Sequence, residues 1–164
     1  MGKLQLQARL IDNLRRNESG EIAWAQLTRK MCLEAGVDLK EALDLVTIPL
    51  SVEGVRLGIL FRELDEKGEI KVSFRSEGDP DVSVLASQLG GGGHPTASGC
   101  TLEMELDEAI ERVIPAIFEW VQRRYSRTST LRLRESGEGH GSHDRGDPIG
   151  PSHLPLEDDL PHLR

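Results

Sequence analysis

Nowhere in its 164 residues does the chain hold the run of about eighteen apolar side chains that a membrane-crossing helix needs. The opening MGKLQLQARL lacks a signal-peptide core, so the chain is expected to stay in the cytoplasm and off the membrane. Cysteine is scarce. Cys32 and Cys100 lie far apart with no CxxC spacing, which predicts two free, buried thiols rather than a zinc site or a structural disulfide. Positive charge is also short, with 20 Lys and Arg against 28 Asp and Glu, a net charge of −8. A protein that coats nucleic acid works by neutralising phosphates, and this composition argues against one. A short phosphorylated ligand stays open, because a few cations and backbone N–H groups that converge locally suffice to hold it.

What is present predicts one α/β domain with a mixed, mainly antiparallel sheet and helices packed on it. Residues 4–17 read as a helix with Leu10, Ile11 and Leu14 on its apolar side, ended by Asn17–Gly20. Residues 21–27 read as a strand. Thr28 is placed to cap a helix that Gly36 stops. Leu39, Ala42, Leu43 and Val46 fall at the spacing of a half-buried helix over 38–46. Residues 55–62 and 69–76, joined by the turn 65–68, read as an antiparallel hairpin.

Asp79-Pro80 suggests an N-cap and first helical residue for a helix over 80–89. Gly90–Gly93 break that helix, a strand follows over 100–106, and Asp107 caps a last helix with Pro115 inside it. Residues 126–164 have no periodicity and no aromatic residue, so they are expected to be disordered. The histidines there, such as His140 and His143, show no structural metal spacing.

Two features carry chemistry. In the stretch 69–76, alternation places Ile70, Val72 and Phe74 on the core face and Lys71, Ser73 and Arg75 on the other. A cation, a hydroxyl and a guanidinium in one row suit a phosphate or a sugar edge, although a solvated strand face gives the same pattern. The second feature is Gly90-Gly91-Gly92-Gly93-His94. Consecutive glycines are entropically costly, and their usual benefit is close approach of the backbone to a partner. Their N–H groups can converge on a phosphate and His94 can donate to it, while the bland alternative is a flexible linker. The run is not a P-loop, because it lacks Gly-Lys-Ser/Thr and follows a helix.

Taken in order, KVSFRS and DVSVLASQLGGGGHPTASG resemble the DHH-associated C-terminal domain of bacterial bifunctional oligoribonucleases and pAp phosphatases. IAWAQLT and IPLSVEGVRLGILFRE are also similar to that domain, and the likeness covers residues 5–125. It implies a phosphoesterase acting on short oligoribonucleotides or 3′-phosphoadenosine 5′-phosphate (pAp). By resemblance Ser73, Arg75, Gly92, Gly93 and His94 hold substrate, with Lys71, Ser76 and Gly91 beside them. Ser98 departs from the usual alanine, a small change expected to be tolerated.

The family's manganese ions sit in a catalytic lobe marked by Asp-His-His, which this sequence lacks. A two-metal site needs several carboxylates and histidines on one surface. The chain is therefore expected to bind no cofactor, to be inactive alone and to work with a DHH catalytic lobe. Residues 1–17 then read as the end of the helix joining two lobes, and 18–125 as the substrate-binding domain. The resemblance also allows a homodimer of the full-length enzyme. A competing reading is a nucleic-acid-binding or oligomerisation module like the related domain of alanyl-tRNA synthetases. The Lys-x-Ser-x-Arg-Ser segment and the acidic balance favour the phosphoesterase.

Overall fold

The computed structural model describes residues 2–38, 44–64 and 68–135, with side chains described as far as Arg124. The elements in chain order are α1 (Gly2–Asp12), β1 (Arg15–Arg16), β2 (Ile22–Leu27), α2 (Arg29–Ala35) and α3 (Thr47–Leu50). They continue with β3 (Leu57–Glu63), β4 (Glu69–Ser76), α4 (Val82–Gln88), β5 (Gly92–His94), β6 (Ala97–Glu103) and α5 (Leu106–Glu135). One sheet of six strands results, in the order β1-β2-β3-β4-β6-β5. Only β2 and β3 run parallel; every other pair is antiparallel, so the expected mixed, mainly antiparallel sheet is what forms.

Paired residues share a face, so the register sorts every side chain. One face gathers Ile22, Ile59, Phe61, Val72, Phe74 and Cys100 under α4 and α5. On the other, Ala25, Leu27 and Leu60 pack against Leu6 and Leu10 of α1, Cys32 of α2, and Leu45 and Val46 just before α3. Among the described residues that second layer packs mainly on β2 and β3 and reaches β4 through α3, and it leaves this face of β6 and β5 uncovered.

Local signals explain the parts that match expectation. Thr28 accepts the Met31 N–H and starts α2, and Gly36, at φ +65°, ends it. The β3–β4 hairpin forms as read. Most of its turn, residues 65–67, lies outside the described residues, as does 39–43 of the helix expected over 38–46.

Several boundaries are corrected. α1 stops at Asp12 because Asn13 turns the chain, donating to the Gln26 carbonyl and accepting the Gln26 N–H. Arg15–Arg16 then pairs as a strand with Trp24 and Ala23. The buried stripe of α1 is Leu6 and Leu10, while Ile11 is exposed. α4 is capped by Asp81, not Asp79: its carboxylate takes the Ser83 N–H at 2.9 Å, and Pro80 lies outside the helix. β3 begins two residues later than expected, and α3 was not anticipated. β6 runs Ala97–Glu103 rather than 100–106, because its pairing with β5 begins at Ala97. Asp107 therefore lies in the first turn of α5, not before it. The last helix also continues to Glu135, past the boundary set at Ser126; residues 136–164 are outside the described residues.

Both cysteines are free and buried, as expected. Burial raises the Cys32 thiol above its ordinary value and pushes Cys100 up to about 11, against a weaker opposite pull from Lys71. The unfolded chain ionises Cys100 from about pH 9, whereas the folded chain keeps it neutral. The stability due to this burial is therefore full below pH 9 and is lost as pH rises to about 11. Urea unfolding is expected to show a loss of about 2–3 kcal/mol across that window, and Cys100→Ala should remove most of it.

Candidate functional site

The open half-face is built by register. In β4, Glu69, Lys71, Ser73 and Arg75 are half-buried on this face, while Ile70, Val72, Phe74 and Ser76 point into the core. β6 lays Ala97 beside Arg75, Gly99 beside Ser73 and Thr101 beside Lys71. β5 then sets His94 beside Ala97 and Gly92 beside Gly99. Two rows cross the three strands: Arg75–Ala97–His94 and Ser73–Gly99–Gly92. With strands about 4.8 Å apart, the Cα atoms of Arg75 and His94 are about 10 Å apart over a small alanine. That gap is right for two long donors to close on one oxyanion.

The glycine run does end the helix, as expected, and goes on to form more than a break, because Gly92–His94 is the edge strand of the sheet. Each glycine has its own reason. A Cβ on Gly91 would lie 2.2 Å from the Gly99 carbonyl oxygen and 2.6 Å from Cys100 Cβ, so this residue lets the hairpin close on the core. Gly93, at φ +145°, would meet the Ala97 carbonyl at 2.6 Å. Gly99 would strike the Val72 carbonyl at 2.6 Å. Gly92 differs, since a Cβ there would meet nothing within 4 Å. The fold leaves open space above it.

Charge grades along this face. Glu69 pairs with Glu103 at one end, and Arg75 with His94 across Ala97 lies at the other. Arg75 donates one Nη1 hydrogen bond to its neighbour's carbonyl, that of Phe74, at 2.9 Å. Neither Arg75 nor Lys71 forms an ion pair with a carboxylate among the described residues. Lys71 lies low over the floor, its Cε 3.6 Å from the place of a Gly99 Cβ. His94 is exposed.

Lys71, Ser73, Arg75, Gly92 and His94 thus share one surface, while Gly91 and Gly93 shape the hairpin beneath it. Ser76 does not join them: it is buried on the opposite face, and its backbone and hydroxyl hydrogen-bond the 95–96 turn. Ser98 also has a structural task, donating to the Val82 carbonyl at the start of α4. Sequence reading missed Ala97 and Gly99 as floor residues. Their strand register was the missing signal, since β6 was placed three residues too late.

A separate cavity of about 380 Å³ opens near Trp24, Asp107 and Glu111, at the far edge of the sheet and under the other layer. Among the described residues no group of three or more His, Cys, Asp or Glu is arranged to hold a metal ion. No described helix is long and apolar enough to cross a membrane.

Comparison with known proteins places the chain in a family. Residues 21–123 match the model of the DHHA1 domain. The chain is 38% identical over 91 residues to the bifunctional oligoribonuclease and PAP phosphatase NrnA of Thermus thermophilus, covering 55% of this chain and 27% of that protein. The Bacillus subtilis protein of the same name is 35% identical over 100 residues, covering 60% and 30%. The chain thus spans under a third of the curated relatives it matches. Among solved structures, an exopolyphosphatase-related protein of Bacteroides fragilis superposes with a TM-score of 0.63 at 27% identity, over 76% of this chain and 35% of that one. A pGpG-specific phosphodiesterase of Vibrio cholerae shares the fold with a TM-score of 0.54 at 15% identity, over 74% and 39%. With that family model matched over more than half of its length, this chain belongs to the DHHA1 domain family.

Proposed function

We propose that this domain is the substrate-binding lobe of a cytoplasmic DHH-family phosphoesterase that hydrolyses short oligoribonucleotides, pAp or both. The observation that supports it most is the Arg75–Ala97–His94 row beside the bare Gly92–Gly99 floor. Arg75 holds a phosphate through its guanidinium fork, and His94 donates from the other side. Ser73 and the exposed backbone of β5 take the sugar edge. Gly92 lets the ligand lie against main chain.

Cleavage belongs to a partner DHH lobe, which supplies manganese ions and the activated water. Among the described residues no group of side chains fits a metal centre, and the part of the β4–β6–β5 face is to bind and orient the phosphate. The full-length enzyme is proposed to be a homodimer.

Calorimetric titration tests the binding role. pAp and a 5′-phosphorylated diribonucleotide should bind the purified chain, and adenosine should not. Equal binding of adenosine would contradict a phosphate-centred site. With manganese added, the chain alone should not turn over either ligand, and chelator-sensitive hydrolysis would overturn the division of labour.

A further inference from the structure

The cavity of about 380 Å³ at the far edge of the sheet has a lining that the phosphate face does not explain. Its size falls toward the low end of small-ligand sites, which span about 300–1,000 Å³. Register builds one wall. Arg15 of β1 pairs with Trp24 of β2, and paired residues share a face. Trp24 meets Phe118 of α5 edge to face, with ring centroids 5.7 Å apart, so this is the α5 side of the sheet. Gln26, two residues along β2, lies on the same side. The opposite wall is α5 itself. Asp107 and Glu111 share one helix face, about 6 Å apart along the axis, with Ile110 beside them.

The polar groups around this space lack protein partners. Among the described residues Arg15, Asp107 and Glu111 form no ion pair. None of those residues hydrogen-bonds their side chains, the Gln26 amide or the Trp24 indole N–H. Arg16 gives the contrast, since its guanidinium donates to the Gly20 and Glu53 carbonyls at 2.7 and 3.1 Å. Asp107 suits the first turn of a helix, but Glu111 one turn later repels it. Two acids thus stand together on one wall and a lone guanidinium stands on the other.

That arrangement is selective. The phosphate of a nucleotide would face two carboxylates against one guanidinium. A divalent cation would find only two acids, and no group of three metal-ligating side chains exists among the described residues. The complement is a ligand with two cations, one anion and a short apolar stem.

We propose that this cavity binds a free basic amino acid such as arginine. The ligand's carboxylate meets the Arg15 fork, and its α-ammonium and side-chain cation meet Asp107 and Glu111. Its methylene stem lies along Trp24 and Ile110. The site is independent of the phosphate-binding face, which lies on the other side of the sheet.

NMR titration of the labelled full chain with L-arginine tests it. At about 10 mM even a millimolar site is nearly filled. The Trp24 indole N–H and the amides of residues 107–111 should shift saturably, with those of Gly92–His94 unmoved. Citrulline lacks the side-chain cation, agmatine the carboxylate and N-acetylarginine the α-ammonium, and each should bind about tenfold more weakly. Asp107→Asn/Glu111→Gln should weaken arginine about tenfold, and Arg15→Gln should abolish the preference for arginine over agmatine. All three side chains are exposed, so the fold should hold in both variants. The site is overturned by the absence of a saturable shift, or by citrulline or N-acetylarginine binding as well as arginine. A response that survives both variants, or guanosine monophosphate binding in place of arginine through the same carboxylates, overturns it equally.

Discussion

Gly91→Ala is expected to destabilise the domain by about 3 kcal/mol, while Gly92→Ala, one residue along, leaves stability intact and removes most ligand binding. The contrast follows from what a methyl group would meet. At Gly91 it would sit 2.2 Å from a backbone oxygen and 2.7 Å from the Cys100 Cα, and backbone cannot swing aside as a long side chain can. The hairpin must move off the core, with a loss at the upper end of overpacking effects. The Gly91 N–H also bonds the Ala86 carbonyl at 2.7 Å, so displacing the strand frays the end of α4.

At Gly92 the methyl meets no atom within 4 Å, and the backbone is not left-handed. The unfolded chain loses entropy, so stability should hold or rise by about 0.5 kcal/mol. The same methyl stands on the floor where the ligand lies. Binding should fall about tenfold or more, equivalent to about 1.4 kcal/mol. Thermal unfolding and titration of the two variants separate fold from site in one experiment.

Arg75→Ala carries the other large effect. Among the described residues this guanidinium donates one hydrogen bond, to the Phe74 carbonyl, so the fold loses little. The site loses the guanidinium that faces His94 across Ala97. A charge-assisted hydrogen bond contributes roughly 1.5–3 kcal/mol, which predicts binding about ten- to a hundredfold weaker. Arg75→Lys should recover only part of that loss, because an ammonium cannot make the forked contact. Full recovery would mean that charge alone matters at this position.

The sheet was largely legible because its signals are local and redundant. Alternation in 69–76 separates Lys71, Ser73 and Arg75 from Val72 and Phe74 without reference to any other strand. Thr28 and Gly36 announce both ends of α2. The failures arose where a tertiary partner outweighs local preference. Asp79-Pro80 looks like a helix start, yet Asp81 has the better reach to the Ser83 N–H. Leu14 continues an apolar pattern, but Asn13 is claimed by the backbone of Gln26. Ser76 follows Arg75 in sequence and so lies on the opposite face. Four glycines in a row were legible as the end of α4 but not as a strand, because strand pairing across a later turn leaves no trace in their composition. The pairing of Gly92 with Gly99 is what turns them into a floor.

One half of one sheet face is the proposed binding surface, and an NMR titration addresses that directly. pAp or a 5′-phosphorylated dinucleotide added to labelled chain should shift the amides of Ser73, Arg75, Gly92, His94, Ala97 and Gly99, with α5 little affected. Shifts concentrated along α5 or around Trp24 and Asp107, with Arg75 and Gly92–His94 unmoved, would place the site elsewhere and contradict it.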